Sequence, residues 1–525
     1  MTAPTVDTVL DKLSRCHVVI FVFAFIRGLP VTWNLMMPVF VAPSAVDFRC
    51  NNDALNHTVD TFSGSDHHVW TNNTAQCFRS AATNGSEPCE SWIYDRSVYG
   101  KTVTEEFNMV CGNRWMVSSS QSLYLAGMVV GTVAASHTSD WFGRKKTILG
   151  GILLSVAASA MTALSTSVTM YYVSRFVVAL GVAGYADVIY TLIMETVSPR
   201  FRYMPTMTMG NGWTTGMLLL PWLHYLTKEW RATQLYATLP LAPLFLLGCF
   251  LPESPRWLMA VGRFPAAKQV VAKFARNAPK HVVDDIIEEA KRKKAEARDI
   301  GRASVADLFS TKVWTKITTL FSFQLIISSI VWYHMTVSTA AAGGNPYVSF
   351  TIGASSEYPV KLINVVLIKY CRRRYTICGT MCFSALVMVA LWLLPAEYSW
   401  LRLALLMLGK VGTSVNGAVL RVQLSETYPT VVRSVAMGFC YTLGRLGSAL
   451  APFFDDLGEA TQSWVPSIVS AGLCLAGAGA SWLLPESFEK TLEDGFSKHE
   501  ATENKVAVTG NTEPQQIYVL EMTHF

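Results

Sequence analysis

The chain has 525 residues, of which 51% are hydrophobic and only 15% charged. A soluble protein carries roughly a quarter charged residues, so water is not the main solvent here. The formal net charge of +6 says little about partners, because membrane proteins gather Lys and Arg on one side.

Apolar runs of about 20 residues, enough to cross a hydrocarbon core, recur twelve times. They predict spans near 17–42, 116–137, 147–167, 170–194, 207–227, 232–251, 316–337, 347–369, 376–395, 400–422, 432–454 and 463–484. The runs are continuous rather than alternating, which favours helices over a barrel. The first follows Asp7, Asp11, Lys12 and Arg15 and lacks a small-residue cleavage site, so it reads as a span and not a signal peptide. The predicted fold is an all-α membrane protein, twelve transmembrane helices in two six-helix halves. Segment 1–16 precedes a first half over 17–251. A central loop at 252–315, a second half over 316–484 and a tail at 485–525 follow.

Two loops are long. The first, 43–115, holds the acceptor sequons at Asn56, Asn72 and Asn84, which predict glycosylation and an extracellular or lumenal position. It also holds Cys50, Cys77, Cys89 and Cys111. Four cysteines in an oxidising space predict two disulfides, with three pairings open. The central loop is rich in Lys and Arg, including Lys291-Arg292-Lys293-Lys294, so it is predicted to be cytoplasmic. Six spans then place the N-terminus, and by the same count the tail, on that side. Stretch 282–298 reads as an amphipathic surface helix, in contact with lipid or simply solvated. The tail ends Thr523-His524-Phe525, a form that a PDZ groove accepts by strand addition and carboxylate capture.

Several stretches resemble one family. They are Arg49-Cys50, Trp92-Ile93-Tyr94-Asp95, residues 102–111 (TVTEEFNMVC), residues 139–146 (SDWFGRKK), residues 252–258 (PESPRWL), residues 426–433 (ETYPTVVR) and Leu484-Pro485-Glu486-Ser487. Over about residues 7–495 the chain resembles the organic-ion transporters of the major facilitator superfamily, solute carrier family twenty-two. The resemblance implies the major facilitator fold and latches at the loop motifs, here Asp140, Arg144, Glu195, Arg256, Glu357, Glu426 and Arg433. The chain departs from the pattern at Ser136, Trp141, Lys369 and Arg372, which puts the resting balance of the latches in question.

Ionisable residues within spans are expensive, so each is a functional candidate: Arg27, Arg175, Asp187, Glu357, Lys361, Lys410, Arg421 and Arg445. The resemblance implies Arg445 as an anion contact, since the cation branch carries an acid there and the anion and carnitine branches an Arg. A guanidinium can hold a carboxylate through two parallel bonds. The alternative is pairing with a protein carboxylate, in which case the choice of the cargo's sign from this residue collapses. Lys361 matches a Lys of the anion branch. Alternatively it neutralises Glu357, four residues earlier on the same helix face. Arg27 departs from the family and adds positive charge or pairs with Asp187. Trp332, Tyr333, Tyr225 and Tyr190 are candidate ring contacts for an amphipathic ion, and Asn34 a candidate hydrogen bond.

No phosphate-binding glycine loop, no metal-spaced His/Cys set and no Ser/His/Asp arrangement on a soluble domain is legible. The chain is therefore expected not to be an enzyme, to need no cofactor or metal, and to draw on a solute gradient through alternating access. The predicted cargo is a range of organic anions, small organic ions being its partners at the plasma membrane, and resemblance to the anion branch implies exchange against a dicarboxylate. A carnitine-like zwitterion or an organic cation is the alternative, and a non-transporting receptor the reading from another class.

Overall fold

The computed structural model describes residues 14–43, 46–50, 77–80, 86–198, 201, 203–274, 280–296, 304–342, 344–395, 397–462 and 464–487. The sequons at Asn56, Asn72 and Asn84 and the end Thr523–Phe525 lie outside them.

Twelve spans follow in order. Span 1 is a run of three helical stretches, Arg15–Ile26, Gly28–Met36 and Pro38–Val41. Spans 2 to 5 are Trp115–Phe142, Arg144–Ala163, Val168–Thr196 and Tyr203–Thr227. Span 6 joins Trp230–Thr238 to Leu241–Phe250, and span 7 is Lys312–Ala341. Span 8 joins Pro346–Ser355 to Glu357–Tyr370. Spans 9 to 12 are Arg373–Leu393, Ser399–Thr427, Thr430–Leu450 and Val465–Trp482.

The interruptions follow from the sequence. Proline lacks an N–H and breaks the bond to the residue four before it. Pro30 does this just after Arg27, and Pro359 just after Ser356. Pro359 denies the Ser355 carbonyl its helical donor, and at the same break two side chains, Ser356 and Lys410, donate to the Gly353 carbonyl.

Among the described residues, eight helices are long and apolar enough to cross a membrane. Spans 2, 5, 8 and 11 are the ones that fall short. These four also join the halves, span 2 against span 11 and span 5 against span 8. Their polar residues are answered across that interface rather than by lipid, which is why their apolar runs are diluted. Within each half the packing is parallel in plan. Span 5 packs on span 1 and span 11 on span 7. Both crossings are tight: a Cβ on Gly212 would sit 2.2 Å from the Phe25 carbonyl oxygen, and one on Gly447 2.6 Å from that of Ile326.

At one end of the bundle lies the long loop between spans 1 and 2. Two short antiparallel ribbons hold it, β1 (Phe48–Cys50) with β4 (Trp92–Tyr94) and β2 (Phe78–Ser80) with β3 (Ser86–Pro88). The pairing left open by the sequence is Cys50–Cys89 and Cys77–Cys111. The loop is stitched to the turn between spans 5 and 6. Gly100 has a φ of +69°, and a Cβ there would meet the Lys228 carbonyl oxygen at 2.1 Å. Glu106 accepts from Trp230 Nε1 at 2.8 Å and also pairs with Arg231 and Lys101. Burial pushes the Glu106 carboxyl up, but these donors outweigh it and hold it below the usual carboxylate range.

At the other end the central loop forms short helices, Pro255–Val261, Phe264–Phe274 and Lys280–Glu296. The apolar side of the last, Val283, Ile286 and Ile287, packs on Val271, Trp257, Leu258 and Ala267. Its amphipathic pattern is thus answered by protein.

Candidate functional site

Six of the eight ionisable residues predicted inside the spans gather in two clusters at or beside the interface between the halves; Arg175 and Arg421 belong to neither. The first joins span 11 to spans 2 and 4. Arg445 Nη2 donates to Asp187 Oδ1 at 2.8 Å and Nη1 to Asp187 Oδ2 at 2.9 Å. Thr132 Oγ1 donates to the same carboxylate at 2.7 Å and accepts from Arg445. This is the bidentate geometry expected of guanidinium and carboxylate, but the acid belongs to the protein. The Arg445 and Asp187 side chains keep 30% and 29% of their surface open, so the pair lines an opening rather than a sealed core. Arg27 is not the acid's bonded partner. Its Nη1 donates to the Ala186 carbonyl at 3.0 Å, close enough to interact electrostatically with both Asp187 and Arg445.

The second cluster joins span 8 to span 5. Lys361 Nζ donates to the Gly210 carbonyl at 2.8 Å, to Asn211 Oδ1 at 2.9 Å and to Thr214 Oγ1 at 2.9 Å. It lies 4.8 Å from the Tyr358 ring centre, and the Tyr358 and Thr215 hydroxyls are 2.9 Å apart. All its bonded oxygens are uncharged. Glu357, the expected partner one turn earlier, turns instead to span 10. It accepts from Ser414 at 3.2 Å and lies 3.6 Å from Lys410 Nζ. Lys410, 2% exposed, also donates to the Gly353 carbonyl at the break in span 8, the one that Ser356 shares.

The aromatic candidates divide. Trp332 donates to Ser414 at 3.3 Å and faces Trp213 across the interface, with ring centres 6.3 Å apart. Tyr333 is 4% exposed, within a core cluster that runs across both halves. Tyr190 is 40% exposed and interacts electrostatically with Tyr441 of span 11. Tyr225 sits in the last turn of span 5, edge-on to Tyr347, about 21 Å along the helix from Asn211 at 1.5 Å per residue. Asn34 is fully buried inside the first half, its carbonyl accepting from Arg175 and its Nδ2 donating to the Pro30 carbonyl. Arg175, 1% exposed, also donates to Gln121 and covers the Tyr124 ring, and so works as a strut.

At the central-loop end each half carries the same device. Glu253 accepts from the first amides of span 3, Arg144 N at 2.9 Å and Lys145 N at 3.3 Å. Arg144 then reaches Glu195 at 2.9 Å and Asp140 at 3.1 Å. In the second half Glu486 accepts from Arg373 N at 3.0 Å and Arg374 N at 3.2 Å, and Arg373 reaches Glu426 at 3.2 Å. A carboxylate at a helix N-terminus answers orphan amides and the helix dipole. Arg433 donates to the Tyr428 carbonyl at 3.2 Å. Arg256 opens the helix after Glu253. Sequence reasoning assigned no role to Glu253, Glu486 or Arg373, although Pro-Glu-Ser closes both halves and an Arg opens each of the spans these glutamates cap. It also missed Thr132, Asn211 and Thr214, which have no signal of their own.

The halves also meet at the disulfide-bonded end. Ser118 donates to the Pro452 carbonyl at 3.1 Å and Ser122 to that of Ala449 at 2.6 Å. Tyr347 stacks on Phe40 and donates to the Val98 carbonyl of the loop at 3.0 Å. The Arg445 pair lies below this roof: Thr132 follows Ser122 by ten residues, roughly 15 Å of helix. An apolar recess of about 560 Å³ among Gly131, Gly151 and Gly184 of spans 2 to 4 touches neither ionic cluster.

Comparison with known proteins fits this architecture. The profile of the sugar (and other) transporter family matches residues 61–495. An organic cation transporter protein of Drosophila melanogaster is 29% identical over 92% of this chain and 87% of its own. Organic anion transporter 3 of Sus scrofa is 30% identical over 78% of this chain and 76% of its own. Solute carrier family 22 member 1 of Bos taurus is 29% identical over 86% and 81%. In fold, the chain is similar to a D-xylose–proton symporter, with a TM-score of 0.61 at 17% identity over 91% of this chain and all of that one. It also resembles the partially occluded, inward-open xylose transporter of E. coli, with a TM-score of 0.62 at 15% identity over 90% and 99%. Twelve spans in two like halves, ionic groups at their interface and these relatives together make the chain a multi-pass membrane transporter, not an enzyme, belonging to the sugar (and other) transporter family and, within it, to the organic-ion carriers of solute carrier family 22.

Proposed function

We propose that the protein carries organic anions across the plasma membrane by alternating access, with the disulfide-bonded loop outside and both termini in the cytoplasm. Positive charge in excess at the interface carries this reading. Arg27, Lys361, Lys410 and Arg445 stand there against Asp187 and Glu357. Lys361 in particular is held by neutral oxygens, and a cargo carboxylate would replace weak acceptors with a charged one. Arg445 alone does not fix the sign, since Asp187 already answers it. Lys361, Trp332, Tyr190 and, once released, Arg445 are the proposed cargo contacts. Tyr333, Tyr225 and Asn34 belong to the packing around them.

A zwitterion is the competing cargo, because Asp187 and Arg445 offer both signs side by side. Uptake of radiolabelled hippurate, carnitine and tetraethylammonium into cells expressing the protein separates the readings. Hippurate uptake should exceed the other two. It should fall roughly a hundredfold in Arg445→Ala at equal surface expression, since truncating the charged partner of a bound carboxylate costs about 3 kcal/mol of affinity. Uptake of the cation without the anion would end the anion reading.

A further inference from the structure

We infer that Asp187 is a resident substitute for the cargo carboxylate, which lets the empty carrier reorient, so that the protein performs net transport without a counter-anion. The inference rests on the anion reading above.

An unpaired guanidinium deep in a closed bundle is costly. A carrier whose cationic site is answered only by cargo cannot close when empty, and is bound to exchange. Here Arg445 is answered without cargo. The carboxylate comes from span 4 of the first half and the guanidinium from span 11 of the second, so the pair itself ties the halves together. Its two bonds have the lengths and bidentate form that a cargo carboxylate would make. The pair lies below the roof formed by Ser118, Ser122 and Tyr347, so closing the halves does not strand the Arg445 guanidinium.

The first half also provides for the acid when cargo takes its place. Arg27 is anchored one residue away on the Ala186 carbonyl, and Thr132 already donates to Asp187. A carboxylate that loses Arg445 thus keeps a hydroxyl and a neighbouring cation within its own half. Binding becomes an exchange of one carboxylate for another on Arg445, with no proton or covalent bond transferred. The charges facing the pair are Arg27 on span 1 and Asp187 and Arg445 themselves, with the hydroxyls of Thr132 and Tyr124 beside them.

The test uses purified full-length protein in proteoliposomes, with radiolabelled hippurate outside and vesicles either empty or preloaded with unlabelled hippurate. For the wild type, uptake into preloaded vesicles should exceed that into empty ones by less than about threefold. In Asp187→Asn, which keeps the shape but loses the charge, that ratio should rise at least tenfold, because only cargo then answers Arg445. Asp187→Glu should keep the wild-type ratio. Dividing the two arms removes differences in protein amount. If the Asn variant carries nothing in either arm, the wild-type and Glu ratios decide, and both must stay low. A wild type that needs preloading overturns the inference while leaving anion transport standing. So does an Asn variant with the wild-type ratio. No uptake of hippurate by the wild type in either arm overturns the anion reading itself.

Discussion

Lys361 shows how a single side chain can belong to two states. Its ammonium is fixed by a carbonyl, an amide oxygen and a hydroxyl of span 5, a set that satisfies donors without neutralising charge. A hydrogen bond to a charged group contributes about 1.5–3 kcal/mol, so Lys361→Met should raise the KM for hippurate roughly tenfold or more, while Lys361→Arg stays closer to wild type. Concentration-dependent uptake measures this, and an unchanged KM would reduce Lys361 to a clamp. The residue scale is also where the sequence was least legible. That Arg27, Asp187, Lys361, Lys410 and Arg445 mattered could be read from the cost of charge in lipid. Who answers whom could not. Asp187 and Arg445 are 258 positions apart, and the helix spacing that suggested Glu357 for Lys361 gave way to tertiary partners on spans 5 and 10.

At the scale of elements, the spans were legible because about 20 apolar residues have few other uses, whereas the breaks at Arg27 and Ser356, each three residues before a proline, were not read. Hidden with them was the contact made at one break, Lys410 on the Gly353 carbonyl. The caps of spans 3 and 9 stood in the sequence as twin Pro-Glu-Ser motifs, but their targets are backbone amides, which no residue type announces. Replacing Glu253 or Glu486 by Ala should each cost about 1 kcal/mol or more, as lost caps do. The lowered unfolding midpoint of purified protein in detergent would show it, and Gln, which keeps an acceptor, should lose less. A midpoint unmoved by either Ala change would mean that the caps are idle.

Taken whole, the protein is joined at its disulfide-bonded end and through two ionic clusters beneath, a closed roof over an interface with partly open residues. The two halves were legible from the central basic loop. The state was not, because it depends on contacts such as Ser122 with Ala449 that form between distant spans. With Cys249 and Cys382 replaced by Ser, a cysteine at Ser122 should resist an impermeant maleimide applied outside, whereas one at Tyr225, 53% exposed, should react. Rapid labelling at Ser122 would show that the roof stands open at rest.

The surplus of cations at the interface has an electrical consequence. Once Asp187 has matched Arg445 and Glu357 has matched Lys410, Lys361 and Arg27 still leave the unloaded machine positively charged. A charge moved through the whole field gains about 2.3 kcal/mol per 100 mV, and even a fraction of that tilts a finely balanced equilibrium. With the disulfide-bonded loop outside, as proposed, a cell with a negative interior would therefore favour the state of the vacant carrier that brings these cations nearer the cytoplasm. Each monovalent anion taken aboard would weaken that pull, making departure of the vacant protein from that state the step that voltage slows.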